Sequence, residues 1–556
     1  MTTAVHHDDV EDLKTLLFLE NTPNVVSTKP TEDYTTATNN ITTITTTTET
    51  NSWLYNNPLV TEYTQLDVDD SETTPLGNFT DQTSIRNGET IDEDDDDPKF
   101  FDYRLPTEGG SIFASFLNMA NSIIGAGIIG LPFSFKEAGF WMGIILLVTL
   151  TVVVGKEMTT NENIMGCGRK EQKIINRVNN ILDWTVRLLM YDGKLAGRST
   201  YQDLLEFSFG RSGLIAISIF QFAFGFGGMC AYCVILGDTI PHVIRSLVED
   251  INQFPILWIF ANRRLCITFF TVFVSYPLSL YRDISKLAKT SGLALIAIFV
   301  IIISVIIEGP KTPPDIRGSS EQRFNFANDE MFQAIAVISF AFVCHHNSFL
   351  IFGSLKQPSL NRFATVTHLS MVIAFITCMT LAVSGYVVFT DKTAGNILNN
   401  FPSDNTLINI ARLAFGLNMF TTIPLETFVC REVLETFFWP TEPFHKIRHV
   451  AITTILVLIA LTVSLLTCNL GIVLELTGGF SATALAYILP PLCYLKLARG
   501  SVFQRSKIPH WACLIFGALI MMVSTFYSLQ KVFQVHNTIN DPVNSDDDSV
   551  AATCDL

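Results

Sequence analysis

Apolar runs such as LALIAIFVIIISVII (residues 293–307) and AITTILVLIALTVSLL (451–466) restrict this chain more than any other feature. A lipid hydrocarbon core about 30 Å thick is crossed by about 20 helical residues. Runs of that length recur near 111–134, 139–157, 213–241, 265–281, 289–308, 330–352, 366–389, 405–430, 449–467, 470–495 and 512–534, which makes eleven. Only 16% of the 556 residues are charged, whereas a soluble domain carries roughly 25%. The expectation is an all-α membrane protein.

The net charge of −16 belongs to one end of the chain. Residues 1–105 hold about 22 acidic and 5 basic side chains, so the remainder is close to neutral. Stretches such as TTATNNITTITTTTET and DEDDDDP carry too little apolar surface to offset the entropy of ordering. Residues 1–105 therefore read as a disordered, acidic, Thr-rich cytosolic arm, in which DLKTLLFLE (12–20) is either a docking helix or a transient one. Residues 106–535 read as the membrane domain and 536–556 as a short acidic tail on the opposite, luminal or extracellular side. The N-terminus lacks a basic-then-apolar pattern, so the first apolar helix is expected to serve as the insertion signal.

An odd number of spans puts the termini on opposite sides. With the N-terminus cytosolic, the inside loops hold about 21 Lys and Arg against about 9 outside, as the positive-inside rule requires. The N-x-[ST] sequons Asn40 and Asn78 then lie in the cytosol and stay unmodified. Between the second and third spans, IINRVNNILDWTVRLLM sets Ile174, Val178, Ile181 and Leu182 on one helical face. Such a helix can lie at the membrane interface or pack on the bundle. The eleven cysteines mostly fall in apolar stretches (Cys230, Cys233, Cys266, Cys344, Cys378, Cys430), which suits small hydrophobes better than a disulfide framework or a zinc site.

The first span contains a contradiction. NSIIGAGIIGLPFSF (121–135) sets Gly125, Gly127, Gly130 and Pro132 within a segment that should cross lipid. Glycine costs a helix interior about 1 kcal/mol relative to alanine, and proline about 3. Lipid tolerates a broken backbone only where protein buries it or a cavity lies beside it, so GAGIIGLP faces inward. Unpaired N–H groups at such a break suit a carboxylate, and unpaired carbonyls suit an ammonium or a cation. Together they suit a zwitterion such as an amino acid. Ser111, Ser115, Asn118 and Ser122 continue the polar stripe along the same helix, joined by Asn121. Small residues of this kind also serve helix packing.

LNMANSIIGAGIIGLPFSFKEAGF (117–140) resembles the first-helix signature of the amino acid/auxin permease family, in the amino acid/polyamine transporter superfamily. The family includes the fungal vacuolar amino-acid transporters and the animal sodium-coupled neutral amino acid transporters. The resemblance continues in TYQDLLEFSFG, FAFVCHHNSFLIFGSL and LELTGGFSATALAYILPPLCYL, and it covers residues 109–535. It implies a LeuT-type fold of two inverted five-helix repeats plus one extra helix. Substrate would sit at the broken first and sixth helices. Asn121 and Thr422, in TTIPLETF, match positions that relatives use for sodium. Fungal vacuolar relatives run on protons, so a co-transported proton, or else sodium, is the only cofactor expected.

Polar residues inside spans are costly and become candidates by default. VCHHNSF supplies His345 and His346, about 100° apart on a helix and able to titrate near pH 6.5 when unperturbed. Each can equally be a satisfied structural group. With Asn347 they make only a weak metal signal. Glu475 is a proton-relay candidate or a buried strut. Glu426 shares a face with Thr422, Arg431 reads as an interface anchor, and Tyr487 and Ser481 are placed to close one side of a cavity. The expected substrate site is Asn118, Ser122, Gly125, Ala126, Gly127, Gly130, Phe342 and His346. The expected ion-coupling set is Asn121, Thr422, His345 and Glu475.

No G-x-x-x-x-G-K-[ST] loop and no spaced catalytic constellation occurs, so an ATP-driven pump and an enzyme are not expected. The reading is a secondary transporter of amino acids, neutral ones because no intramembrane Arg or Lys near the break could pair with an acidic side chain. The alternative is a non-transporting sensor that signals through the long arm. Expected partners are the amino-acid substrate, the lipid membrane and trafficking or signalling proteins for the arm, with no nucleic acid. The resemblance implies the vacuolar membrane first, and the plasma or endoplasmic reticulum membrane second.

Overall fold

A computed structural model of the chain describes residues 111–125, 127–151, 181–248, 255–281, 291–467 and 469–540. The acidic arm with its 12–20 segment and both sequons, Ile174 and Val178, the last residues of the tail, and Ala126 lie outside the described residues.

The described residues fold into helices in the order α1 (Ile112–Ile124), α2 (Leu131–Ala138), α3 (Phe140–Thr151), α4 (Ile181–Ala196), α5 (Tyr201–Phe209), α6 (Arg211–Leu247), α7 (Pro255–Ala261), α8 (Arg263–Phe270) and α9 (Tyr276–Ser279). There follow α10 (Ser291–Glu308), α11 (Met331–Phe342), α12 (His345–Ser354), α13 (Leu360–Phe389), α14 (Thr406–Phe438), α15 (Lys446–Leu466), α16 (Leu470–Thr477), α17 (Leu489–Leu497) and α18 (Ile508–Asn540). Side chains satisfy the free N–H groups at several starts. Ser111 caps α1 by accepting from Ala114 N at 3.2 Å, and Thr200 caps α5 by accepting from Asp203 N at 3.1 Å. Ser111 therefore belongs to the exposed start of its helix, outside the polar stripe with which the sequence aligned it.

Among the described residues, nine helices are long and apolar enough to cross a membrane. The other two spans read from the sequence correspond to α3 and to α8–α9, which are shorter. The described part of α3, 12 residues, measures about 18 Å. Its neighbour α4 adds 16 residues, or about 24 Å. The two touch each other and both pack on α13, while α4 also lies along α17. Leu182 through Met190 of α4 are all buried, so of the two placements open to that segment the packed one is realised.

The long helices α6 and α14 lie along one another, α1 lies on α13, and α11 packs on α2 and α16. The apolar 18-residue stretch within Met331–Ser354 is 89% buried, against 28% for that within Arg505–Gln534, so α11 and α12 lie at the centre of the bundle and α18 at its edge. Between α16 and α17 the chain is wound as two π-helical turns, Gly478–Ala482 and Ala484–Ile488. Wide turns of this kind interrupt helices mainly at functional positions. Arg431 is buried and not an interface anchor. Its Nη1 donates to Ser279 O at 2.9 Å and Thr453 Oγ1 at 2.8 Å, tying α14 to α9 and α15.

Candidate functional site

Two helical rods break inside the bundle, and the breaks face each other. The first rod ends as α1 at Ile124. Gly125 turns the chain at φ +34°, a value that side-chain-bearing residues avoid, and donates its N–H to Asn121 O at 3.0 Å. A buried 3₁₀ turn, Gly127–Gly130, follows before α2 begins. Pro132 sits in the first turn of α2, where its missing N–H costs nothing. The second rod ends as α11 at Phe342. Val343 is extended and donates to Ser339 O at 3.0 Å, and α12 restarts at His345 without a side-chain cap. Each break therefore places the carboxyl end of one half-helix near the uncapped amino end of the next.

Gly127 brings the breaks together. A Cβ built there would stand 2.6 Å from Ala341 Cα, so only glycine lets the first rod approach α11 this closely. A side-chain bond fastens the same junction, since Asn347 Nδ2 donates to Ser122 Oγ at 3.1 Å. Asn118, Asn121 and Ser122 are half-buried on α1, and Phe342 is fully buried at the end of α11. His346 sets its ring 4.7 Å from that of Phe224 on α6. His345 turns the other way, its Nε2 lying 2.9 Å from Thr185 Oγ1 on α4. The two histidines thus serve different elements, as neighbours on a helix must.

Three of the expected ion-coupling residues, Thr422, His345 and Glu475, each bond a different partner. Thr422 donates its hydroxyl to Asn418 O at 2.9 Å, within its own helix. Glu475 lies in α16, where it accepts from Ser528 Oγ and from Lys531 Nζ, each at 3.3 Å. Tyr487 bonds Ser339 at 3.2 Å, and Ser481 donates to Thr477 O at 2.6 Å.

Sequence reasoning passed over Thr185, Phe224, Glu137 and Lys531, and it weighed Asn347 only as a metal ligand. Lys531 carried a usable signal: an ammonium in an apolar helix requires acidic partners. The cations inside the bundle are engaged. Arg412, fully buried, donates to Leu398 O at 2.7 Å, Phe401 O at 2.8 Å and Asn409 Oδ1 at 2.7 Å. Arg263 pairs with Asp238 at 3.4 Å.

The model of the family described as "Transmembrane amino acid transporter protein" matches residues 108–172 and 181–530. The chain is 38% identical over 448 residues to "Vacuolar amino acid transporter 2" of Saccharomyces cerevisiae, covering 79% of this chain and 85% of that protein. It is 35% identical over 418 residues to "Putative sodium-coupled neutral amino acid transporter 11" of Danio rerio, covering 75% and 86%. Among solved structures, the crystal structure of MhsT in complex with L-phenylalanine superposes with a TM-score of 0.45 at 12% identity, covering 76% of this chain and 97% of that one.

Proposed function

The chain belongs to the transmembrane amino acid transporter family, and from that premise we propose that it is a proton-coupled secondary transporter of neutral amino acids in the vacuolar membrane. It is a multi-pass membrane protein of a family of transporters, not of enzymes. The observation that carries the reading is the meeting of two broken helices at Gly127 and Ala341. Unwound backbone inside a membrane bundle is tolerated where it serves a buried site.

In this reading the substrate carboxylate meets N–H groups between Gly125 and Gly130 and the uncapped start of α12, where helix dipoles favour negative charge. Its ammonium meets carbonyls between Asn118 and Ile123, and Phe342 and His346 bound the side-chain pocket. The tying-up of Arg263, Arg412 and Lys531 supports a neutral substrate, because none is free to receive a second carboxylate.

Eleven crossings follow if α3 together with α4, and α8 together with α9, are added to the nine long helices. Breaks in the first and sixth of these, five apart, support two five-helix repeats and hence alternating access. A second reading, sodium coupling at Asn121 and Thr422, is favoured by the name of the Danio rerio relative.

The deciding experiment is uptake of labelled neutral amino acids into vesicles carrying the purified protein. An imposed pH gradient without sodium should drive accumulation. Accumulation only with sodium would move coupling to Asn121 and Thr422. Binding without uptake under either condition would replace the transporter with a sensor.

A further inference from the structure

At the far end of α2, away from the broken backbone, lies a charge cluster whose charges do not balance. Glu137 in the last turn of α2 and Glu475 in α16 are both fully buried. Lys531 of α18 donates to Glu137 Oε1 at 2.8 Å and to Glu475 Oε1 at 3.3 Å. Lys531 Nζ thus bridges the two carboxyl groups and brings them close to each other. The second oxygen of Glu137, Oε2, is buried and has no donor. Two buried carboxylates under one ammonium leave a negative charge in excess, where an uncompensated charge is strongly unfavourable.

The surrounding groups do not supply the missing positive charge. Glu330, half-exposed before α11, lies 3.3 Å from Lys531 and adds a further negative charge. Lys136 faces Glu137 first and Glu330 second, its Nζ turned to Thr393 O at 3.4 Å, so three carboxylates stand against two ammonium groups. Asp391 accepts from Ser319 N at 2.6 Å, and its neighbour Lys392 donates to Asp315 O at 2.8 Å. Asp238 on α6 is paired with Arg263. No ionisable side chain occurs in α3 or α11.

We propose that Glu137 holds a proton beneath Lys531 and beside Glu475, and that this cluster is the proton site of the transporter. This rests on the proton-coupled reading above, and it puts the site on the contact between α2, α16 and α18, leaving the histidines out of it. Ser528 and Lys531 are positioning residues that orient Glu475. With the proton bound, α2 is held to α16. Loss of the proton to water past the partly exposed Lys531 sets two like charges against each other and favours the state in which α2 has moved away. Proton binding thereby shifts the balance between the two access states through its preference for one of them.

The test uses the full chain, purified and reconstituted, comparing wild type with Glu137→Gln, Glu475→Gln and Lys531→Met. One readout is accumulation of labelled neutral amino acids under an imposed pH gradient. The other is the dependence of apparent Tm on pH. Both Gln variants should lose gradient-driven accumulation by about tenfold or more, and their Tm should respond less to pH than that of wild type. Lys531→Met, which removes the cation competing with the proton, should move the pH of half-maximal uptake upward by about one unit. Glu137→Asp keeps a titratable group and should retain a pH-dependent Tm, which separates lost titration from poor folding. Wild-type accumulation and a wild-type Tm profile in both Gln variants would overturn the proposal. Wild type that accumulates nothing under the gradient, yet differs from Glu137→Gln in its Tm profile, would keep the proton site and sink the coupling reading alone.

Discussion

At the scale of single residues, Gly127 and Asn347 carry the most testable consequences. The methyl of Gly127→Ala would press on Ala341 Cα, and overpacking of this kind costs about 1–3 kcal/mol. Gly127→Ala should therefore lower the apparent Tm as well as uptake. Adding Ala341→Gly should recover only part of the loss, because Ala341 Cα remains in the way; full recovery would mean the close approach is not what requires glycine. Asn347→Ala removes the donor to Ser122, a bond worth about 1 kcal/mol, and should lower kcat/KM about fivefold. An unchanged kcat/KM would take this pair out of the site. The glycines were legible in the sequence, since little but a broken helix explains them in lipid. Asn347 was legible only as a polar residue beside two histidines, because its partner lies 225 positions away.

At the scale of helices, α4 shows how charged side chains enter the bundle. The segment that becomes α4 was open to lying at the interface or packing on the bundle, and it packs, with Asp183 and Arg187 buried. The reason is local: Asp183 and Arg187, one turn apart, pair at 2.8 Å, and His368 of α13 approaches Asp183 at 3.2 Å. Polar groups that satisfy one another can enter the bundle. The contact between Thr185 and His345 then ties α4 to the restarted half-helix α12. Thr185→Val leaves a buried ring nitrogen unpaired, at about 1–3 kcal/mol, and should lower the apparent Tm in detergent. A Tm equal to wild type would show that α12 does not depend on this contact. The family model passes over residues 173–180. A chain lacking them should keep uptake to within about twofold, and a larger loss would show that the crossing needs them.

At the scale of the whole molecule, the match to the family begins at residue 108, so a chain starting at residue 106 should transport at roughly the wild-type rate, within about twofold. Loss of uptake in that truncated chain, with intact binding, would give the acidic arm a direct role. Hydrophobic length and residue type along the chain were enough to show that this protein lives in a membrane as helices, and where the first of them breaks, because both depend on neighbours in sequence. The motifs in the first, sixth and tenth spans were enough to suggest the family. Which polar groups meet was decided by the tertiary structure. Glu137 and Lys531 are 394 positions apart, and nothing local to either announces the other. A charge in a low-dielectric interior is tolerated only through the particular partners that packing brings to it, and packing is a property of the folded bundle, not of any segment.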